Sequence, residues 1–175
     1  AINAKCYLIG VVGQDLYSKA LENECLKTNI KPVLEFDKSR PTTVKTRLLS
    51  TAHKHPTSSI FFKQQLLRLD RLSRDNISLE IEKSLIKKME NHISKVSTIL
   101  ISDYDLGVCT KKLISEVVKL ASKNKVKVIV DAASDFQRFK GAYLITPNQP
   151  DAEKAVSFKI IDSYSLLKAG KKLLL

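Results

Sequence analysis

Glycine is scarce in this 175-residue chain: there are five, no two separated by a single residue and none followed by aspartate. Without any Gly-x-Gly, neither a Rossmann dinucleotide fingerprint nor a phosphate-cradling P-loop is present. Cysteine is as sparse. Cys6, Cys25 and Cys109 are odd in number and widely spaced, which argues against a disulfide framework and predicts free thiols in a reducing cytoplasm. His53 and His55 stand two apart beside Pro56, but no further ligands cluster around them, so a polar turn fits better than a metal site. No apolar run approaches the length of a membrane span, and the amino terminus lacks a charged-then-apolar leader pattern.

Acidic residues are also in short supply, 18 against 30 lysines and arginines, for a formal net charge of +12. That balance favours anionic partners: phosphorylated small molecules, nucleic acid or an anionic surface. The lysines are spread over helix faces, with no zinc-finger spacing, no RNA-recognition consensus and no basic stripe interleaved with aromatics. A solvated surface explains most of the charge, and nucleic-acid binding is the weaker alternative. Hydrophobic residues make up 43% and charged residues 27%, a globular balance with enough chain for one cored domain.

Residues 6–12 (Cys-Tyr-Leu-Ile-Gly-Val-Val) form a continuous apolar run, which suits a strand covered on both faces. Gly13-Gln14-Asp15 then turns into a helix with Leu16, Ala20, Leu21, Cys25 and Leu26 at helical spacing, ending near Asn29. Residues 32–36 read as a short strand and residues 53–59 as a polar loop. From 77 to 96, Ile77, Ile81, Leu85, Met89 and Ile93 follow a four-residue step. They mark an amphipathic helix with Asn76 or Asp75 as its cap. Apolar strands over 98–101, 126–130 and 143–146 end at Ser102-Asp103, Asp131 and Pro147-Asn148, with helices over 111–123 and about 163–175. This alternation is the pattern of a parallel sheet with crossover helices. Ligands bind such sheets beyond the carboxyl ends of the strands, so Asp103, Asp131 and Asn148 would face one cleft. Each could instead be a helix cap.

Residues 39–47 (Ser-Arg-Pro-Thr-Thr-Val-Lys-Thr-Arg) and 64–70 (Gln-Gln-Leu-Leu-Arg-Leu-Asp) both have strand character. Antiparallel pairing would make them a small sheet apart from the main one. Along the first, Thr43, Lys45 and Arg47 share one face, while Val44, Thr46 and Leu48 share the other. Two cations beside a threonine suit a phosphate, because arginine offers a planar fork and lysine a point charge. An ordinary basic edge strand accounts for the same residues.

The two segments resemble the paired signature of the kinase domain of bacterial heptose 7-phosphate kinases, ribokinase-like sugar kinases often fused to an adenylyltransferase. The likeness recurs along the chain. Gly13 and Asp15 match a Gly-x-Asp-x-x-Gly turn, with Ser18 at its last position. Ser102-Asp103-Tyr104 with Gly107 resembles Ser-Asp-Tyr-x-x-Gly. Asp135-Phe136, Arg138-Phe139 and Gly141-Ala142 lead into Thr146-Pro147-Asn148, which matches Thr-Pro-Asn.

The resemblance implies an α/β fold, a ribokinase-like parallel sheet flanked by helices with a small antiparallel lid sheet. It places the lid strands at about 33–70 and the α/β core at about 5–30 and 76–175. It implies transfer of the γ-phosphate of ATP, with Mg²⁺, to the anomeric hydroxyl of heptose 7-phosphate, toward lipopolysaccharide core sugars. Arg40, Lys45, Arg47, Arg68 and Asp103 would then serve the sugar phosphate, and Gln64, Gln65 and Asp70 the sugar hydroxyls or the lid. Asn148, Gln149, Pro150 and Asp151 would serve the nucleotide, with Asp151 on the metal. A second copy of the chain would meet the lid strands.

The departures are equally specific. Asp151 stands where the family has glutamate, one methylene longer. Leu106 replaces a lysine before Gly107, Ala132-Ala133-Ser134 replaces Pro-Lys-Gly after Asp131, and Arg71-Leu72 follows Asp70 where an acid is usual. The Gly-Ala-Gly-Asp motif that carries the general base is not found. The expectation is an incomplete domain: a fragment or degenerate remnant of the kinase. Its non-catalytic alternative binds a sugar phosphate or pairs through its lid strands.

Overall fold

Two apolar runs open the structure, a computed structural model that describes residues 4–53, 61–132 and 135–174, with the backbone alone at 51–53 and 61–63. The chain divides into two units, Ala1–Ser73 and Arg74–Leu175. In the first, β1 (Cys6–Val12) and β2 (Ile30–Phe36) pair in parallel, with Cys6 opposite Ile30 and Val12 opposite Phe36. The helix α1 (Leu16–Lys27) crosses between them. Asp15 caps α1 by accepting from the Tyr17 and Ser18 amides at 3.1 and 3.2 Å, which satisfies donors a helix start leaves open. Asn29 takes a left-handed φ of 59° just beyond the helix, the usual way a chain leaves a helix. β1 is only partly covered along most of its length, with Val12 its one fully buried residue, so its apolar run does not report burial on both faces. Among the described residues of this unit, Val12, Cys25 and Leu34 are the buried apolar side chains.

β3 (Val44–His53) and β4 (Phe61–Arg71) pair antiparallel with a bulge between Leu48 and Leu49. The antiparallel ribbon is therefore present but shorter at its start than the sequence suggested. Residues 33–36 belong to the parallel pair, and residues 39–43 form a turn rather than strand. Asp37 sets that turn: its carboxylate accepts from the amide and hydroxyl of Ser39 and from Arg40 Nε. The polar loop expected over 53–59, including His55, falls almost entirely outside the described residues.

The second unit runs α2 (Leu79–Ile93), β5 (Thr98–Asp103), α3 (Lys111–Lys123), β6 (Lys127–Ala132), a 3-10 turn (Phe136–Phe139), β7 (Leu144–Ile145), α4 (Gln149–Val156) and α5 (Ser163–Leu173). β5, β6 and β7 form a parallel sheet in that order, with Thr98 opposite Lys127 and Ile129 opposite Leu144. The apolar residues of 111–123 suggest a buried face of Leu113, Ile114, Val117, Val118, Leu120 and Ala121; α3 buries Leu113, Ile114, Val117 and Ala121, while Val118 and Leu120 are half-buried. Val128, Val130 and Ala132 alternate inward along β6, and Phe136 and Phe139 are buried beside them in sequence space. Each large side chain of this set contributes roughly 1.5–3 kcal/mol by leaving water. α2 starts later than expected because Ser78, not Asn76 or Asp75, accepts from the Ile81 amide at 3.3 Å. α5 ends at Leu173, short of the expected 175.

Candidate functional site

At the carboxyl ends of the second unit's strands lies a cavity of about 190 Å³, lined by Asp103, Tyr104, Asp131, Thr146, Asn148 and Asp151. The three residues predicted to share a cleft thus do so. Asn148 also caps α4: its Oδ1 accepts from the Asp151 amide at 2.9 Å, so the cap reading and the cleft reading hold together. The amino end of α4 carries Asn148 and Asp151 at this cavity, and a helix start favours negative charge. Pro150 sits in the first turn, where its missing N–H costs nothing.

Gln149 is spent elsewhere. Its Nε2 donates to Glu153 Oε1 at 3.0 Å and to the Ile160 carbonyl at 2.9 Å. Glu153 also accepts from Lys159 Nζ at 2.7 Å and the Ile160 amide at 3.0 Å. These bonds, Lys159 first, hold its carboxyl down at about 2. Gln149 and Pro150 therefore shape the start of α4, while Asn148 and Asp151 line the cavity. Asp131 is exposed and Asp151 half-buried. Their hard oxygens fit Mg²⁺, which retains waters and takes further oxygens from phosphates. Among the described residues no group of three or more histidines, cysteines or acids could hold a metal, so such an ion would depend on oxygens from its ligand.

Asp103, the last residue of β5, is buried and already engaged. Its Oδ1 accepts from the Asp105 amide at 3.0 Å, and Oδ2 accepts from Arg138 Nη2. The Cys109 thiol shares a cavity wall with the same carboxylate. Burial first, and then the Asp103 charge, push that thiol up to about 12, which keeps it protonated and unreactive. Asp103 belongs to this network rather than standing open to a sugar. Arg138 completes the network from the far side of the second unit's sequence. Nothing in its spacing from Asp103 signals the pair, which is 35 residues apart in the chain.

The basic residues of the first unit separate into two kinds. Arg40 lies off the strand, 8% exposed, with Nε 3.0 Å from Asp37 Oδ2. It holds the turn before β3. Lys45 lies opposite Asp70, and Arg47 opposite Arg68, on one face of the ribbon. Arg68 Nε reaches Asp70 Oδ1 at 2.9 Å, so Asp70 serves its own face. Lys45, Arg47 and Arg68 are exposed there, as a cation-rich face requires, and Gln64 and Gln65 are exposed further along β4. The opposite face carries Leu48, Leu67 and Leu69, each about half exposed. Gly13 and Asp15 are structural: Gly13 N donates to Thr42 Oγ1 at 3.0 Å and Thr42 N to Asp15 Oδ2 at 3.0 Å. The Thr42 hydroxyl, followed by the amides of Thr42 and Ser18, lowers the Asp15 carboxyl. Ser18, in place of a glycine, is accommodated inside α1 with its hydroxyl donating to the Asp15 carbonyl at 2.7 Å.

Comparison with known proteins gives the family and the fold. The pfkB family of carbohydrate kinases matches residues 2–174. The chain is 36% identical over 168 residues to the bifunctional protein HldE of Aliarcobacter butzleri, covering 95% of this chain and 33% of that protein. It is 38% identical over 139 residues to HldE of Geobacter sulfurreducens, covering 79% and 26%. The chain thus spans about a third of the length of these relatives. The 2-dehydro-3-deoxygluconokinase of Thermotoga maritima shares the fold with a TM-score of 0.70 at 12% identity, over 98% of this chain and 55% of that one. Ribokinase of Giardia lamblia does so with a TM-score of 0.64 at 13% identity, over 95% and 48%. The fold is ribokinase-like α/β, and the chain belongs to the pfkB family of carbohydrate kinases.

Proposed function

We propose that this chain forms the nucleotide-facing and sugar-phosphate-facing parts of an ATP-dependent, cytoplasmic sugar kinase whose substrate is heptose 7-phosphate. The observation that carries the reading is the cavity where Asn148 caps α4 beside Asp131 and Asp151, in a chain related to HldE proteins. In this reading Asn148 and the start of α4 receive the nucleotide phosphates, and Asp151, with Asp131 nearby, holds Mg²⁺ through water. The ion, when bound, offsets charge on the phosphate oxygens. Lys45, Arg47 and Arg68 take the 7-phosphate, a dianion suited to forked and point-charge donors together. Phosphoryl transfer relies chiefly on positioning and charge stabilisation, which these groups supply. We assign no general base to any residue of the chain. A second copy of the chain covers Leu48, Leu67 and Leu69 of the ribbon, whose exposure is otherwise costly.

Calorimetry of the 175-residue chain with Mg-ADP and, separately, heptose 7-phosphate tests the reading. Asp151→Ala is expected to weaken Mg-ADP roughly tenfold and leave the sugar phosphate unchanged, and Arg47→Ala to do the reverse. Failure of both ligands to bind the unaltered chain would sink the reading. ADP release from Mg-ATP and heptose 7-phosphate, lost in Arg47→Ala, would place a general base within these residues. Sedimentation of a monomer at micromolar concentration would dismiss the paired ribbon.

A further inference from the structure

We infer that Arg138 is a positioning residue for the nucleotide cleft, acting through Asp103; the inference rests on the nucleotide reading above. Asp103 stands in the wall between two cavities of the second unit. One is the cleft with Asp131, Asn148 and Asp151. The other, about 220 Å³, is lined by Arg74, Asn76, Asp105, Cys109 and Arg138 as well as Asp103. Arg138 lies on the second side and fastens the wall from behind.

Its guanidinium gathers three residues of the stretch that follows β5. Nη2 donates to Asp103 Oδ2 at the end of β5 and lies 3.7 Å from Asp105 Oδ1. Nη1 donates to the Cys109 carbonyl at 3.1 Å. Arg138 itself sits in the 3-10 turn that precedes β7 and Asn148. One side chain therefore ties the loop behind Tyr104 to the segment that delivers the α4 cap. Both segments hold left-handed backbone, at Asp105 (φ 59°) and Gly107 (φ 73°) in the loop and at Asp135 (φ 47°) before the turn. Such conformations persist where surrounding bonds over-determine them.

Charge gives the tie a second consequence. Asp103 and Arg138 side chains are 4% and 11% exposed, so the carboxylate is balanced by this guanidinium in a setting where water screens little. The cleft it borders already carries Asp131 and Asp151 and, in this reading, receives a polyphosphate. Removing the guanidinium leaves a buried, uncompensated anion in the wall and frees the loop that bears Tyr104. Removing both charges leaves neither fault at full strength, because the carboxylate no longer repels the incoming phosphates.

Calorimetric titration with Mg-ADP tests this on five versions of the 175-residue chain: unaltered, Arg138→Lys, Arg138→Met, Asp103→Asn and the Asp103→Asn/Arg138→Met pair. Each is first checked for cooperative melting. Arg138→Met is expected to weaken Mg-ADP by roughly tenfold or more. Arg138→Lys is expected to recover part of that loss, and the double variant most of it. A loss in Arg138→Met that the double variant does not relieve would mean plain packing and overturn the coupling to Asp103. Unchanged affinity in Arg138→Met and Arg138→Lys would overturn the inference while leaving the nucleotide site standing. An unaltered chain that binds no Mg-ADP removes both together. Should Arg138→Met fail to melt cooperatively, Arg138→Lys decides: the inference requires it to bind Mg-ADP more weakly than the unaltered chain, and equal binding overturns it.

Discussion

Gly107 shows how a single residue can be dictated by its neighbours. It has a φ of +73°, and a Cβ built there would lie 1.9 Å from the Asp75 carbonyl oxygen. Its own carbonyl accepts from the Ile77 amide at 3.0 Å, so the loop cannot move away without losing a backbone bond. Gly107→Ala is expected to destabilise the chain by more than about 2 kcal/mol in urea unfolding. Gly10 has nothing within 4 Å of an added Cβ, so Gly10→Ala in the same experiment should change stability by less than about 1 kcal/mol. Equal effects would show that Gly107 is not held against residue 75. Arg40 makes a comparable case by charge. With Arg40 and Asp37 only 8% and 7% exposed, Arg40→Ala leaves the Asp37 carboxylate to its Ser39 donors alone and should cost about 1–3 kcal/mol. Lys45→Ala, on the exposed ribbon face, should cost less than about 0.5 kcal/mol. The two residues read alike in the sequence, and only the fold separates a structural arginine from a surface lysine.

At the scale of an element, α4 is organised by Glu153, whose carboxylate gathers Lys159, Gln149 and the Ile160 amide. Because these donors favour the ionised form, the carboxyl falls from 4.5 to about 2. Its contribution is therefore fully present above the unfolded value of 4.5 and is lost as pH falls from there toward 2. The melting-temperature gap between the unaltered chain and Glu153→Gln should be constant above about pH 5.5 and close below pH 4.5. A gap that persists unchanged at pH 2.5 would show that the carboxylate does not titrate with this cluster. The same element marks what a sequence can disclose. Strands β5 and β6 and helix α3 were legible because apolar spacing is imposed by the face they bury, as Ile114, Val117 and Ala121 show. The cleft partners Asp103, Asp131 and Asn148 were legible from topology, since parallel strands deliver their ends to one side. The Arg138–Asp103 tie and the Asp37–Arg40 turn were not. The first joins residues 35 apart in the chain, which no periodicity encodes. The second is local, an Asp37 side chain bonding residues two and three further on, a turn signal masked by the β-branched residues that follow. The β-branched content of residues 39–43 favours strand, and the Asp37 hydrogen bonds override that propensity locally.

For the whole molecule the question is what a net charge of +12 serves. Two mechanisms of anion binding differ in how they answer salt. A cation field spread over lysine-rich faces binds polyanions by releasing counterions, and affinity for duplex DNA resting on 6–10 phosphate contacts falls about 10³–10⁵-fold between 50 and 200 mM salt. A cleft built around Asn148 at the start of α4, beside fixed carboxylates, makes few but directed contacts. Its affinity depends less on salt because those contacts neutralise few phosphate charges and release few counterions. Mg-ADP titrations across that salt range are therefore expected to weaken by less than about tenfold, while any affinity for duplex DNA collapses. If Mg-ADP binding fell as steeply as DNA binding, the nucleotide would be sampling the general basic surface. The cavity at the ends of β5, β6 and β7 would then have no claim on it.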